Sequence, residues 1–199
     1  MLRHAAPGGQ MSRMFARCAA FTAVATAIAL AGCAKKPEPQ AEASQQASVL
    51  DLMLKQIDPA ADFIWESVAT ISTEAGIEER HPRTDAEWQE VHDRAVQIIE
   101  AAKLLQADGL KVAHPGQQLS EPGGEGDYTP EQAQAQIDAD RSTFVAYARA
   151  LQDTAGLMLA AIEKKSPEDM LEVGGALDEA CEQCHVRFWY PNAPKPPGL

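Results

Sequence analysis

Near the end of the chain, two cysteines and a histidine stand at a spacing that can hold a metal-containing cofactor covalently. The motif is Cys181-Glu182-Gln183-Cys184-His185, which is the pattern of c-type haem attachment. Two thiols three residues apart on a helix lie on one side of it, about one turn from each other. Each thiol can add across one vinyl group of haem to form a thioether, and the adjacent imidazole can bind the iron. The motif therefore predicts haem c held by Cys181 and Cys184, with His185 as the proximal ligand.

Three other roles stay open for the two cysteines. A thioredoxin-like redox pair requires a βαβ context, and the sequence predicts no strands. A structural disulfide suits an oxidising compartment. A zinc site needs a fourth ligand and usually a second paired-ligand motif, which the sequence lacks. Haem attachment is favoured because the motif falls on the apolar face of a predicted helix, in a chain whose first residues indicate export.

The N-terminus predicts export and a lipid anchor. After a basic start, residues 18–30 form the apolar run CAAFTAVATAIAL, which is too short to span a bilayer comfortably and typical of a signal peptide. The run leads into an LAGC motif that resembles the lipobox of bacterial lipoproteins, and the resemblance implies cleavage before Cys33 and acylation of Cys33. An ordinary signal with an incidental Cys33 is the alternative. Residues 1–32 are therefore predicted to be the signal peptide, and residues 33–47 a polar, flexible tether.

The charge of the chain argues against nucleic acid as a partner. The sequence has 17 Lys and Arg against 29 Asp and Glu, a formal net charge of -12. Three of the arginines precede Cys33 and no acidic residue does, so the rest of the chain has 14 basic and 29 acidic side chains. Such a surface repels a phosphate backbone. No paired-carboxylate, Ser/His/Asp or phosphate-loop constellation stands out either, so we expect no enzyme activity.

Four stretches with helical period follow the tether, and the sequence predicts an all-α fold. The first stretch places apolar residues from Leu50 to Ile71 on one face. Asp58-Pro59 interrupts it and marks either a kink or the boundary between two short helices in phase. The second stretch begins with a capping box at 84–87 and ends at Asp108-Gly109.

The last two stretches complete a bundle. The third opens with a second capping-box sequence, Thr129-Pro130-Glu131-Gln132, and the fourth opens at Ser166-Pro167 and contains the CxxCH motif. Residues 109–128, rich in Gly and Pro, are predicted to be a long loop to which no role is assigned. Near-heptad stripes and mostly short connections predict an antiparallel four-helix bundle over residues 48–190. A Pro-rich tail, 191–199, cannot continue the last helix.

Taken together, these segments resemble the cytochrome c′ family. The most telling are LMLKQIDPAADFIWESV at 52–68, EWQEVHDRAVQIIEAAKLL at 87–105 and ACEQCHVRFWY at 180–190. The resemblance covers essentially all of residues 48–190. It implies an antiparallel bundle that holds haem between its helices near one end, and the CxxCH motif matches the family's own directly.

The ligand on the other face of the iron decides the function. In this resemblance, Met53 matches the position where low-spin relatives place their Met ligand. A thioether is soft, binds iron without losing a proton and raises the reduction potential. The alternative is that Met53 only fills the core, which is the commoner role of Met. With Met53 bound, the haem suits electron transfer, whereas an open distal face admits NO or CO.

Other side chains offer weaker candidates for the haem site. His81, His92 and His114 could supply a second histidine ligand, but the first and last stand beside Pro in predicted loops and are expected to face solvent. Arg141 falls on the apolar stripe of the third helix. It could pair with a haem propionate or lay its stem on the core with its head in water.

The sequence thus predicts a lipid-anchored c-type cytochrome on the periplasmic face of a bacterial membrane, which carries electrons with His185 and Met53 as axial ligands. The alternatives are a five-coordinate cytochrome c′ that binds NO or CO, and a structural lipoprotein whose two cysteines form a disulfide. Predicted partners are redox proteins with basic patches, the membrane through Cys33 and, by family analogy alone, a second copy of the chain. Ala34 after Cys33 favours the outer membrane in the lipoprotein family.

Overall fold

A computed structural model of the chain describes residues 47–119 and 127–192. This part is mostly helical, as predicted, and also contains one small two-stranded sheet. The predicted signal peptide, Cys33, the tether up to residue 46 and the tail beyond residue 192 lie outside the described residues. Among the helices of the described residues, none is long and apolar enough to cross a membrane.

The elements follow one another in the order helix, hairpin, helices. The helices are α1 (Val49–Leu52), α2 (Asp58–Ser67), α3 (Asp85–Leu105), α4 (Pro130–Ala139), α5 (Arg141–Glu163) and α6 (Pro167–Phe188). The strands are β1 (Ala69–Thr73) and β2 (Gly76–Arg80). A π-helical turn, Met53–Ile57, joins α1 directly to α2.

Side-chain caps fix where the helices begin. The capping boxes predicted at Thr84 and Thr129 are confirmed, because each hydroxyl accepts from a backbone N–H three residues later and the side chain at that position returns a bond to the cap. Ser166 caps α6 in the same way with its hydroxyl. Ser48 and Asp51 form a further box at the start of α1. These bonds satisfy N–H groups that a helix start otherwise leaves without a partner.

The long helices pack side by side around one apolar core. α3 packs along α5, α5 packs along α6, and α2 contacts both α3 and α6. Their buried apolar side chains recur at three- and four-residue spacing, which is the period that turns one face of a helix inward. Fully buried examples from these helices are Ile64, Val91, Ile98, Ala155 and Leu177.

The prediction that the chain has no strands was wrong between α2 and α3. Ile71, which the sequence placed on the first helical face, lies in β1 opposite Glu78 of β2. The β-branched run that contains Ile71 favours extended backbone. Gly76 follows a two-residue turn with a φ of 129°, which other residues rarely adopt. The hairpin is exposed almost throughout. It therefore has no alternating apolar face by which the sequence could have predicted it.

One helix boundary also differs from the predicted ones. The third predicted helix is divided at Asp140, whose backbone (φ -136, ψ 52) leaves the helical region and separates α4 from α5. At Asp58-Pro59, where the sequence left open a kink or two short helices in phase, the helical run continues and a π-helical turn directly precedes the proline. Pro59 has no N–H to donate and its ring would collide with a carbonyl of a regular α-helix.

Gly175 lies in the interior of α6, where no packing requires a glycine. A Cβ at this position would meet nothing within 4 Å. Since Gly in a helix interior costs roughly 1 kcal/mol relative to Ala, we expect Gly175→Ala to raise the free energy of unfolding by about 0.5–1 kcal/mol in urea titrations. Gly109→Ala is the matched contrast, because Gly109 has a φ of 75°, and it should lower the same quantity. A destabilised Gly175→Ala chain would contradict this account of α6.

Candidate functional site

The three residues of the CxxCH motif lie on the last two turns of α6 and line interior space. Two cavities of about 20 Å³ each open there. Cys184 and His185 line both cavities, and Cys181 lines the second. These contacts agree with the prediction that the face of α6 with the two cysteines points inward.

Met53 lines the same two cavities as the CxxCH motif, although the two are far apart in the sequence. It stands at the first position of the π-helical turn, is only 8% exposed, and lines both cavities together with His185. The structure therefore brings together the residues that the sequence proposed as the two axial ligands, from elements separated by more than 120 positions along the chain. Met158 and Met170 are fully buried in the core and line neither cavity.

The cysteines of the motif are partly buried thiols and form no disulfide with each other. Burial raises the pKa of Cys181 to about 11, and the carboxylates of Asp58, Asp178 and Glu182 add to the effect. Burial likewise raises the pKa of Cys184 to about 12. Both groups are therefore neutral thiols at neutral pH.

His185 is held among aromatic rings at the end of α6. Its ring centroid lies 5.8 Å from that of Trp189 and 5.7 Å from that of Tyr190. Burial lowers the pKa of His185, and the negative charges of Asp58 and Glu182 oppose that effect only in part. A neutral imidazole keeps a free lone pair, which is the form that binds a metal.

A hydrogen bond joins Tyr190 to Glu182 on α6. The Tyr190 hydroxyl donates to the Glu182 carboxylate at 2.5 Å. Burial and the neighbouring carboxylate raise the pKa of Tyr190 above its ordinary value. This bond fixes the chain just after α6, where the backbone N–H of Tyr190 also donates to the carbonyl of His185.

Asp58 is a site residue that sequence reasoning used only as a helix cap. It lines the second cavity beside Cys181 and His185. Burial raises the pKa of Asp58, and the nearby imidazole of His185 opposes this effect only in part. Its position directly before Pro59 indicated a helix boundary, and nothing in the local sequence pointed to a partner more than 120 residues away.

The segment after α3, to which the sequence assigned no role, forms part of the site. Leu110, Val112 and Leu119 are buried, and Val112 lines the first cavity together with Met53 and His185. The three apolar residues were visible in the sequence, but they follow no regular period. Their burial depends on long-range packing that a local pattern does not encode.

The histidines considered as alternative ligands lie elsewhere. His81 bonds to the carbonyl of Pro82, and His92 pairs with Asp93 on α3. His114 is exposed, as predicted, with 48% of its side-chain surface accessible, and its Nε2 lies 2.7 Å from the carboxylate of Asp51. None of the three lines either cavity.

Arg141 has a structural partner rather than a place at the cavities. Its guanidinium donates to the backbone carbonyl of Ala107, just beyond the end of α3, and lies 5.3 Å from the ring centroid of Phe144. The arginine thus ties the start of α5 to the end of α3. Carbonyls at a helix C-terminus lack partners within the helix, and a cation suits them.

The donor set fits a covalently attached haem. Two thiols, one neutral imidazole and one thioether surround the same cavities, whose remaining walls are almost entirely apolar. Among residues 47–119 and 127–192, no group of three or more His, Cys, Asp or Glu could hold a metal ion. Each cavity has room for about one water molecule. A porphyrin therefore requires the surrounding side chains to move outward.

The raised thiol pKa values predict a pH dependence for the chain that has not received haem. Unfolded thiols ionise above about pH 8.5, whereas the folded ones stay neutral to about pH 11 and 12. The stabilisation is therefore fully present below about pH 8.5 and is lost as the pH rises through the folded pKa values. We expect the free energy of unfolding to fall between pH 8 and pH 11 by several kcal/mol, about 3 kcal/mol for each thiol.

Urea titration at a series of pH values checks this dependence, with a Cys181→Ala/Cys184→Ala chain as the control. The control should show a flatter profile over the same range, because lysines and tyrosines titrate in both chains but the thiols only in one. Parallel profiles would mean that the thiols are not protected by burial.

Comparison of the chain with protein-family models, with curated proteins and with solved structures found no match.

Proposed function

We propose that the protein is a c-type cytochrome of the cytochrome c′ kind, folded as an antiparallel four-helix bundle, which carries single electrons. The observation that supports this function best is the meeting of four side chains at the same pair of cavities. Cys181, Cys184 and His185 come from α6, and Met53 comes from the opposite helical run. Their chemistry matches covalent attachment and two axial ligands, one proximal and one distal.

The packing of the helices supports the bundle. In the proposed arrangement, α1, the π-helical turn and α2 act as the first helix, α3 as the second, α4 with α5 as the third and α6 as the fourth. Each long helix contacts its neighbours in this order, and α2 returns to α6 to close the ring. The hairpin lies outside this arrangement, in the connection between the first two helices.

Each residue of the site has a definite task in this proposal. Cys181 and Cys184 hold the haem by thioether bonds, so that it stays with the protein in both oxidation states. His185 supplies a neutral imidazole, and its ring orientation is restricted by Trp189 and Tyr190. Met53 supplies a sulfur ligand that keeps its charge and shape when the electron arrives. Haem, when bound, supplies an iron that alternates between the ferrous and ferric states.

The walls of the site support electron transfer rather than reaction with a substrate. The cavities are bounded mainly by apolar and aromatic side chains, including Ile137, Phe144, Leu151 and Phe188. Such walls exclude water and favour a high reduction potential, because they stabilise the less charged ferrous form. Among the described residues that line the cavities, Asp58 is the one carboxylate, and partial burial raises its pKa although its side chain stays in contact with solvent.

A second candidate function is the binding of NO or CO by a five-coordinate iron. It is favoured by the first cavity, whose volume of about 20 Å³ lies beside Met53 between Val49, Val112 and Ala133. A small apolar cavity of this kind suits a diatomic gas better than water. If Met53 does not bind the iron, this cavity provides space on the distal face.

The proposal includes a place and partners for the protein. A lipid on Cys33 anchors the bundle to the periplasmic face of a bacterial membrane, with the outer membrane favoured. The excess of acidic side chains favours redox partners with basic surfaces, which steer encounter by long-range attraction. A second copy of the chain is the further partner that the resemblance implies.

The optical spectrum of the reduced protein, recorded with and without CO, tests the function. The chain should be exported together with the haem-attachment machinery before it is purified. Low-spin bands that CO leaves unchanged support the electron carrier. A high-spin spectrum that shifts with CO supports the gas-binding function instead. A colourless, correctly exported protein would overturn both and leave the structural lipoprotein.

A further inference from the structure

We infer that His114 is a positioning residue for Met53, acting through Asp51 and the segment Leu110–His114. This inference rests on the proposed function, since it concerns how the distal ligand is held. The segment Leu110–His114 is called the strap below. It fastens the first turn of α1, which immediately precedes Met53.

The backbone of the strap binds the start of α1. The N–H of Val49 donates to the carbonyl of Lys111 at 2.8 Å, and the N–H of Leu50 donates to the carbonyl of Val112 at 2.9 Å. These donors belong to the first turn of a helix and have no partner within it. The strap therefore supplies the hydrogen bonds that α1 cannot make for itself.

A side-chain bond reinforces the backbone bonds. The ring nitrogen Nε2 of His114 lies 2.7 Å from Oδ2 of Asp51. The same carboxylate accepts from the Lys55 ammonium through Oδ1 at 2.6 Å and from the Ser48 hydroxyl through Oδ2 at 3.1 Å. It accepts from the His114 ring N–H as well, and hydrogen bonds to a charged acceptor are stronger than neutral ones.

The strap is itself fixed to the rest of the molecule. The N–H of Val112 donates to the side-chain oxygen of Gln134 on α4 at 2.9 Å. Val112 and Leu110 are buried in the core. The bonds between α1 and the strap therefore also connect α1 to α4, which contacts α6, the helix with the proposed proximal ligand.

The opposite side of Met53 lacks a regular helix that could hold it instead. The π-helical turn that begins there has the N–H of Asp58 bonded to the carbonyl of Met53, one residue further back than in an α-helix. The carbonyl of Gln56 accepts from the side chain of Gln97 on α3 at 2.9 Å. α1 is only four residues long. The bonds on the N-terminal side therefore add to these bonds in fixing the position of Met53.

Two measurements on the haem-loaded, full-length protein test the inference. The first is the rate at which CO enters the reduced protein, which is limited by the departure of Met53 from the iron. The second is hydrogen exchange of the backbone amides of residues 49–53. In His114→Ala we expect both rates to rise by about tenfold, the factor for the loss of one charge-assisted hydrogen bond.

Two further variants separate positioning from general stability. His114→Gln keeps an N–H donor near Asp51 and should restore most of the slow CO entry. His92→Ala removes a histidine whose ring pairs with Asp93 on α3, away from the cavities, and should leave both rates unchanged. If His114 has only a structural role, His114→Ala should lower the midpoint of thermal unfolding, and its rate of CO entry should equal that of His114→Gln and His92→Ala.

The outcomes distinguish this inference from the proposed function. Unchanged exchange of residues 49–53 in His114→Ala would overturn the tie between strap and helix, whatever binds the iron. Faster exchange with unchanged CO entry would overturn the link to Met53 alone and leave the electron carrier intact. A wild-type protein that binds CO at once would instead overturn Met53 as ligand, and with it the positioning role.

Discussion

A chain that combines Cys181→Ser with Cys184→Ser is expected to leave the haem-attachment machinery without any covalently bound haem. A serine hydroxyl is a far weaker nucleophile than a thiol and does not add to a vinyl group under the same conditions. Both thiols line the second cavity together with His185, so the substitution removes the attachment without moving the imidazole. The mass of the denatured protein measures the effect directly, and the loss should be complete.

A change at the spacer of the same motif controls for damage to α6. The side chain of Gln183 is exposed and donates to Glu179 one turn earlier, so Gln183→Ala should keep the full haem adduct. Each single cysteine variant should keep one thioether bond and a less firmly held haem. An adduct of wild-type mass on the double variant would refute attachment at this motif.

Replacing the sulfur of Met53 should change the spin state of the iron and open it to CO. Met53→Leu is the sharpest substitution, because Leu has nearly the same volume and such exchanges cost less than about 1.5 kcal/mol in a core. The variant loses the thioether but keeps the packing around the cavities. We expect a high-spin reduced spectrum, complete binding of CO, and a lower reduction potential than in the wild type.

A second buried methionine provides the matched control for this substitution. Met158 is fully buried on α5 and lines neither cavity, so Met158→Leu should keep the wild-type spectrum and its insensitivity to CO. If Met53→Leu behaves like Met158→Leu, Met53 is core filling and the distal ligand lies elsewhere. Equal high-spin spectra in both variants would point to loosened packing rather than to a lost ligand.

The sequence predicted those parts of the molecule in which a local pattern determines a local structure. The capping boxes at Thr84 and Thr129 depend on residues three positions apart, and both form as expected. The inward face of α6 depends on the spacing of Leu177, Cys181 and Cys184 along one helix. In such cases the spacing of residues along the sequence directly determines which residues share one face of the helix.

The sequence did not predict features that depend on distant partners or lack a buried face. The bonds from Val49 to Lys111 and from Asp51 to His114 join positions about 60 residues apart, and neither end shows a pattern that indicates the other. The π-helical turn directly precedes Asp58-Pro59, where the sequence indicated an interruption but not its form. The hairpin was missed because its residues follow neither the helical nor the core pattern.

The β1–β2 hairpin offers a practical site for engineering. Its strands bond mainly to each other, and most of its side chains are exposed, with Ile77 72% accessible. An element that buries little contributes little to the stability of the remainder, and such loop tips tolerate inserted sequence. A fluorescent label or an affinity tag placed between Glu74 and Ala75 should therefore leave the spectrum and the potential of the proposed cytochrome unchanged. It would provide a handle for immobilising the protein on an electrode in a defined orientation.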